Sequence, residues 1–304
     1  MLSMRLGPDR RLVATDAESP RPRPDEALIG VAASTVNRGE LGLIDVRDEG
    51  WAPGQDVAGV VLKAAADGSG PKAGSRVVGL AEQGAWSEQV TVRASRLAVV
   101  PPEVPLETAA ALPMAGLTAL RTLRLLGSVT GRRVLITGAS GGLGRIQVRL
   151  ATLSGAEVIA VARSAEQVPG AATVVADPAD SPFVHAALES VGGQALTGVI
   201  AKLLPASPIV VFGTSSGEPT PLTIYDFIGH ENVTLHTYFS YAADHSKDPE
   251  DLAFLLQLTV TGALEPAVVE RFALPKAAEA VERMRRGGTG GKIVLVSEPP
   301  DLAR

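Results

Sequence analysis

Residues 134–144 read Val-Leu-Ile-Thr-Gly-Ala-Ser-Gly-Gly-Leu-Gly, and no other stretch restricts the fold of this chain as much. An apolar run with strand character enters a glycine-rich turn. A helix is predicted from Gly142 to about Ser154, because Ile146, Leu150 and Leu153 recur at i, i+4 and i+7 and give it one apolar face. A second apolar strand, 157–161, follows. Together these form a βαβ unit with glycines at its first turn, the context in which a glycine motif acquires meaning. Glycine allows the backbone to approach a pyrophosphate closely, and the helix N-terminus adds free N–H groups and the positive end of its dipole. The motif therefore predicts a dinucleotide site with its diphosphate at Ser140, Gly141, Gly142 and Leu143.

Elsewhere the pattern divides the chain. Before residue 100, short apolar strands are predicted at 27–33, 57–63, 76–80, 86–92 and 97–100, punctuated by Pro53-Gly54 and Pro101-Pro102. Such spacing suits a small barrel or sandwich. Helices follow at 106–111 and 116–126. From residue 133 strands (134–137, 158–161, 173–175, 209–212, 233–238) alternate with helices, including one near 194–204, and this predicts a doubly wound parallel sheet. The tail reads as helices at 249–258 and 276–286 and a strand at 292–296. Residues 37–53 read as a shortened loop, and pocket shape is expected to depend on the loop residues 41–51 and 240–247.

Composition narrows the function. At 304 residues and 45% hydrophobic, the chain can bury one large or two ordinary cores. A net charge of −5 with scattered arginines argues against nucleic acid as partner. There is no cysteine, so disulfides, thiolate zinc sites and a cysteine nucleophile are excluded. The N-terminus lacks a signal-peptide core, and the longest apolar stretch, 109–120, is interrupted by Pro113, so neither secretion nor a membrane span is expected. A cytoplasmic enzyme acting on a small molecule is the expectation.

Several short motifs occur in a telling order: Ala32-Ala33-Ser34-Thr35-Val36-Asn37, Pro53-Gly54-Gln55-Asp56-Val57-Ala58-Gly59-Val60-Val61, Gly74-Ser75-Arg76-Val77, Gly84-Ala85-Trp86-Ser87-Glu88, Leu112-Pro113, Gly116-Leu117-Thr118-Ala119, and Gly291-Lys292-Ile293-Val294-Leu295. In this arrangement the chain resembles the medium-chain dehydrogenase/reductase superfamily over nearly its whole length. The resemblance implies an α/β protein: a GroES-like β-rich catalytic domain (1–110 with 246–304) and a Rossmann domain with a doubly wound parallel sheet (111–245). The short-chain reductase pattern Thr-Gly-x-x-x-Gly-x-Gly also fits residues 137–144, but no tyrosine has a lysine four residues on. Within the medium-chain superfamily the chain looks like the zinc-free quinone oxidoreductase and enoyl reductase branch. Asn37 and Gly54-Gln55-Asp56 stand where the zinc branch has Cys and Gly-His-Glu.

The residues at the end of the second strand discriminate between cofactors. An NAD site usually carries an acid there; this chain has Arg163 and Ser164, suited to a 2′-phosphate, so NADPH is expected. Gln167 falls where the resemblance implies Lys, and Ala176 or Asp177 where it implies Tyr; an unpaired Asp177 would repel a phosphate. By the same resemblance Thr118, Phe212, Gly213, Thr214 and Tyr238 border the nicotinamide end. Asn37, Arg38 and Tyr238 are the catalytic candidates, with Glu40 a further polar group nearby and Asp56 a structural acid bonded to backbone or a neighbouring Arg. The resemblance implies hydride transfer to a quinone or activated C=C, and a homodimer paired along strand 233–238. The absence of a tyrosine after Asn37 and the altered phosphate residues leave a second reading open: a cyclase, isomerase or lyase on the same fold.

Overall fold

The computed structural model describes residues 1–163 and 168–297. Two compact units are present, one built from Met1–Leu117 with the chain from Asp244 onward, the other from Thr118–Ala243.

The first unit begins with a hairpin, β1 (Leu2–Leu6) and β2 (Leu12–Asp16), that no sequence pattern had indicated. A seven-stranded sheet follows, made of β3 (Glu26–Val36), β4 (Asp56–Lys63), β5 (Arg76–Leu80), β6 (Gln89–Arg93), β7 (Leu97–Val99), β14 (Val268–Ala273) and β15 (Lys292–Val296). Its order is β14-β15-β3-β4-β5-β7, with β6 also paired to β3. β3 and β4 are buried on both faces, so they lack alternation and read as continuous apolar runs. Gly59 allows them to cross closely: a Cβ there would stand 1.9 Å from the Gly30 carbonyl oxygen. One core lies around Ile29, Val57, Val77 and Val92, another around Met4, Leu6, Ile44, Trp86 and Ile293.

The stretch after Asn37, expected as a loop, is helix α1 (Arg38–Val46). Asn37 caps it, Glu40 reaches back to the Asn37 N–H to complete a capping box, and Ile44 enters the second core, which outweighs the helix-weakening Gly39 and Gly42. Residues 240–247, also expected as loop, form two 3₁₀ turns, Ser240–Ala242 and His245–Lys247. Helices α2 (Leu106–Ala110), α6 (Asp248–Val260) and α7 (Ala277–Arg285) complete this unit, and α3 (Pro113–Leu125) begins in it.

The second unit is a six-stranded parallel sheet of β8 (Arg133–Ile136), β9 (Glu157–Val161), β10 (Thr173–Val175), β11 (Ala186–Glu189), β12 (Pro208–Val211) and β13 (Thr234–Thr237), with α4 (Gly142–Leu153) and α5 (Gly193–Ile200) as crossovers. Its order, β10-β9-β8-β11-β12-β13, reverses direction between β8 and β11. Such a switch point opens a crevice at the carboxyl ends of the strands, the usual ligand position in open α/β sheets. Leu135, Ile159, Ala187, Val199 and Ile209 form its core. The crossover from β10 to β11 holds a 3₁₀ turn, Pro178–Asp180, in place of a helix.

Candidate functional site

In the parallel-sheet unit, β8 ends at Ile136 and the chain turns through Thr137–Gly141 into α4. Gly138 adopts φ +60°, and its carbonyl accepts the Gly141 N–H at 3.0 Å. Gly144 lets helix and turn touch, since a Cβ there would lie 2.2 Å from the Gly138 oxygen and 2.7 Å from the Ala139 Cα. The first intrahelical bond of this helix is Arg145 N–H to Gly141 O, 2.9 Å, so the amides of Gly142 and Leu143 precede it and are available to an anion. Gly141 has no side chain to cap them, and the first turn holds no acidic residue. Such a cradle fits a diphosphate.

Around the switch point the strand ends crowd together. A Cβ on Gly138 would meet Ser190 Oγ at 2.9 Å, and one on Gly213 would meet the Ser190 carbonyl at 3.0 Å. Phe212 is half-buried and donates its N–H to the Glu189 carbonyl at 3.0 Å; Thr214 is exposed. Glu189 is buried, and burial pushes its carboxyl above the usual range. It accepts from the N–H groups of Val191 (2.8 Å) and Gly192 (3.1 Å) and from Thr137 Oγ1 (3.2 Å), so it braces the ends of β8 and β11 against each other. An open hollow of about 590 Å³ adjoins this turn, lined by Gly192, Gly193, Gln194, Ser216, Glu218 and Pro221 among others.

The sheet thus gathers Ser140–Leu143, Arg163, Phe212–Thr214 and Tyr238 at the carboxyl ends of β8, β9, β12 and β13. Arg163 is exposed, and Tyr238 is half-buried with its N–H on the Val211 carbonyl at 3.0 Å. Thr118 is buried in α3. Ser164 and Gln167 lie outside the described residues. Asp177, which stands where the resemblance implies Tyr, caps the 3₁₀ turn after it by accepting the Ala179 N–H at 2.8 Å. β11 and its Glu189–Ser190 end escaped the sequence reading; the paired Gly192-Gly193 behind them was the available signal.

The first unit holds a separate polar cluster. Asn37 lies between Lys292, whose Nζ donates to Asn37 Oδ1 at 2.5 Å, and Asp56, whose Oδ2 accepts from Asn37 Nδ2 at 2.9 Å. Asp56 was expected to bond backbone or an arginine. It does bond backbone, through the Met114 N–H at 2.7 Å, and also the Thr35 hydroxyl, but its charged partner is Lys292 at 3.4 Å. Glu40 was read as a loop residue nearby. It is wholly buried and accepts the N–H groups of Asn37 (2.8 Å) and Gln55 (3.1 Å). Burial, reinforced by the charge of Asp56, pushes its pKa to about 8 against the pull of those two amides and Lys292. Arg38, the neighbouring catalytic candidate, is exposed. Among the described residues no group of three or more His, Asp or Glu is placed to hold a metal ion.

Comparison with known proteins agrees with both units. Residues 23–102 match the family model described as alcohol dehydrogenase GroES-like domain, and residues 155–295 match zinc-binding dehydrogenase. A chloroplastic quinone-oxidoreductase of Triphysaria versicolor is 30% identical over 311 residues, 91% of each chain. The chain belongs to the medium-chain dehydrogenase/reductase superfamily, in its quinone oxidoreductase branch. A probable quinone oxidoreductase of Schizosaccharomyces pombe is 28% identical over 98% of this chain and 97% of its own. Among solved structures, a mycobacterial protein complexed with NADPH superposes with a TM-score of 0.86 at 26% identity, covering 98% of this chain and 100% of the other. The Escherichia coli quinone oxidoreductase, also complexed with NADPH, shares the fold with a TM-score of 0.87 at 23% identity, over 98% and 100% of the two chains. This member of the superfamily is accordingly an oxidoreductase, with a GroES-like β-rich domain and a Rossmann-type domain.

Proposed function

We propose that the chain is a zinc-independent, NADPH-dependent reductase of quinones or activated C=C bonds. The observation that carries this reading is the acid-free glycine cradle at the N-terminus of α4, with Arg163 at the end of the next strand. NADPH, when bound, supplies the hydride. The chain would hold its diphosphate on the amides of Gly142 and Leu143 and its 2′-phosphate with the Arg163 guanidinium. Backbone at Phe212–Thr214 and Tyr238 would border the nicotinamide, and Asn37 would contact cofactor or substrate. Without a tyrosine after Asn37, water is the proton source for the reduced substrate.

Donor chemistry supports zinc independence. The cluster at Asn37 offers one amide, the Asp56 carboxylate already countered by Lys292, the Glu40 carboxylate buried and committed to two backbone amides, and no thiolate or imidazole, which is a poor set for Zn²⁺. The cytoplasm is the compartment we assign. Separately, no helix among the described residues is long and apolar enough to cross a membrane.

The test is a coupled assay. Purified protein is expected to oxidise NADPH with benzoquinone or an alkyl enone. Gly141→Asp, which puts a carboxylate at the diphosphate, is expected to lower kcat/KM by at least about 100-fold while leaving the fold intact. Absence of turnover across a broad quinone and enone panel, with catalysis of a cofactor-free isomerisation instead, would overturn the reading.

A further inference from the structure

An asparagine side chain presents an acceptor at one end and two donors at the other, and the two ends are similar in shape. Which end faces a ligand therefore depends on its neighbours. At Asn37 the neighbours are of opposite charge. Lys292 enters from the start of β15 with its ammonium on Oδ1, and Asp56 enters from the start of β4 with its carboxylate on Nδ2. A flipped amide would set N–H against ammonium and carbonyl against carboxylate, two repulsive contacts at about 3 Å in a water-poor site. Both charged groups are themselves held. Asp56 is wholly buried and takes three further hydrogen bonds: the Met114 N–H, the Thr35 hydroxyl and, through its carbonyl, the Ser34 hydroxyl at 2.6 Å. Lys292 is 4% exposed, and a buried ammonium persists only where it is paired. Glu40 holds the backbone of the same residue through the Asn37 N–H, so main chain and side chain of Asn37 are fixed separately.

We propose that Lys292, acting with Asp56, is a positioning residue that sets the orientation of the Asn37 carboxamide and leaves its second Nδ2–H, in a defined direction, for the reacting partners. The proposal rests on the reductase reading for its catalytic consequence, but the orientation itself is testable without turnover. Lys292 contributes nothing to the chemistry directly. Its effect passes through Asn37, so its removal and the removal of Asn37 should have the same consequence and should not add.

The sequence makes the physical test simple, because the chain has only two asparagines, Asn37 and the exposed Asn232. Protein labelled with 15N at asparagine side chains is expected to show two NH2 pairs. The Asn37 pair, absent in Asn37→Ala, should exchange with solvent at least about tenfold more slowly than the Asn232 pair. Lys292→Met and Asp56→Ala, neither of which adds a side-chain amide, are each expected to erase that protection. In the NADPH–benzoquinone assay, Lys292→Met and Asn37→Ala should each lower kcat by about 10–100-fold with a smaller change in KM for NADPH, and the double variant should be no slower than the slower single. Equal exchange of the two pairs in the unmodified protein overturns the proposal, even if neither variant folds. So does a Lys292→Met protein that loses thermal stability while its kcat and Asn37 resonances stay unchanged. A protected Asn37 pair in a protein that turns over no quinone or enone would overturn the reductase reading and leave the orientation standing.

Discussion

Glu40 shows how a single position can escape pattern reading and still shape the protein's pH response. Four groups face it: the N–H groups of Asn37 and Gln55, the Asp56 carboxylate and the Lys292 ammonium. Burial dominates, and its pKa rises from 4.5 to about 8. Between those two values the folded protein retains a proton that the unfolded chain releases, so this group's contribution is complete below about pH 4.5 and is lost as pH rises to about 8. Glu40→Gln cannot ionise. Its stability relative to the unmodified protein, measured by urea unfolding at pH 5.5, 7 and 8.5, should improve with each step, by at most about 1.4 kcal/mol per pH unit. A constant offset across the series would show that Glu40 is already ionised in the fold. The spacing Asn37…Glu40 suits a capping box, but the glycines at 39 and 42 make the stretch read as a loop. That Glu40 would be sealed in was not visible in the sequence, because the groups that seal it arrive from β4 and β15, far along the chain.

Among the elements, those with a strong local period were legible and those defined by distant partners were not. The β8–α4–β9 unit could be read because its apolar spacing, its glycines and its strand lengths agree. The β1–β2 hairpin was not: β1 sets Leu2, Met4 and Leu6 on its inner face, but β2 adds only Leu12 to that core, and each strand is five residues long. β11 is four residues, Ala-Ala-Leu-Glu, too short for a period to register, and its place in the sheet is set by β8 and β12 on either side. Lys292 read only as part of a terminal strand motif, since Asn37, its partner, is 255 residues away. The end of β9 carries a prediction of its own. If Arg163 meets a 2′-phosphate, Arg163→Ala should raise KM for NADPH about tenfold and leave KM for NADH nearly unchanged, because only the first coenzyme bears that charge. Steady-state titrations with both coenzymes decide it; equal losses would assign Arg163 a general structural role.

At the scale of the whole molecule, the parallel sheet ends, among the described residues, in an edge strand. β13 ends the strand order, and a parallel strand at an edge exposes a row of unpaired backbone groups. On and just after it Leu235 is 47% exposed and Phe239 65% exposed, and in the segment that leads to it Ile224, Tyr225 and Ile228 are 70–77% exposed. A monomer with such a patch beside an open strand would tend to aggregate. We propose that a second copy covers it, the two β13 strands pairing antiparallel across a twofold axis so that the same residues meet on both sides. Backbone pairing and apolar burial then fail together when either is removed. Sedimentation of the unmodified protein at tens of micromolar should give about twice the 31.3 kDa chain mass, whereas Leu235→Pro, which removes a β13 donor and stiffens the strand, should give one. Phe239→Lys, outside the strand, should weaken association without touching the backbone ladder, and both variants should retain NADPH binding when nicotinamide fluorescence is followed during a titration. An unmodified chain that sediments as a monomer at that concentration would leave the patch without its second copy and overturn the pairing.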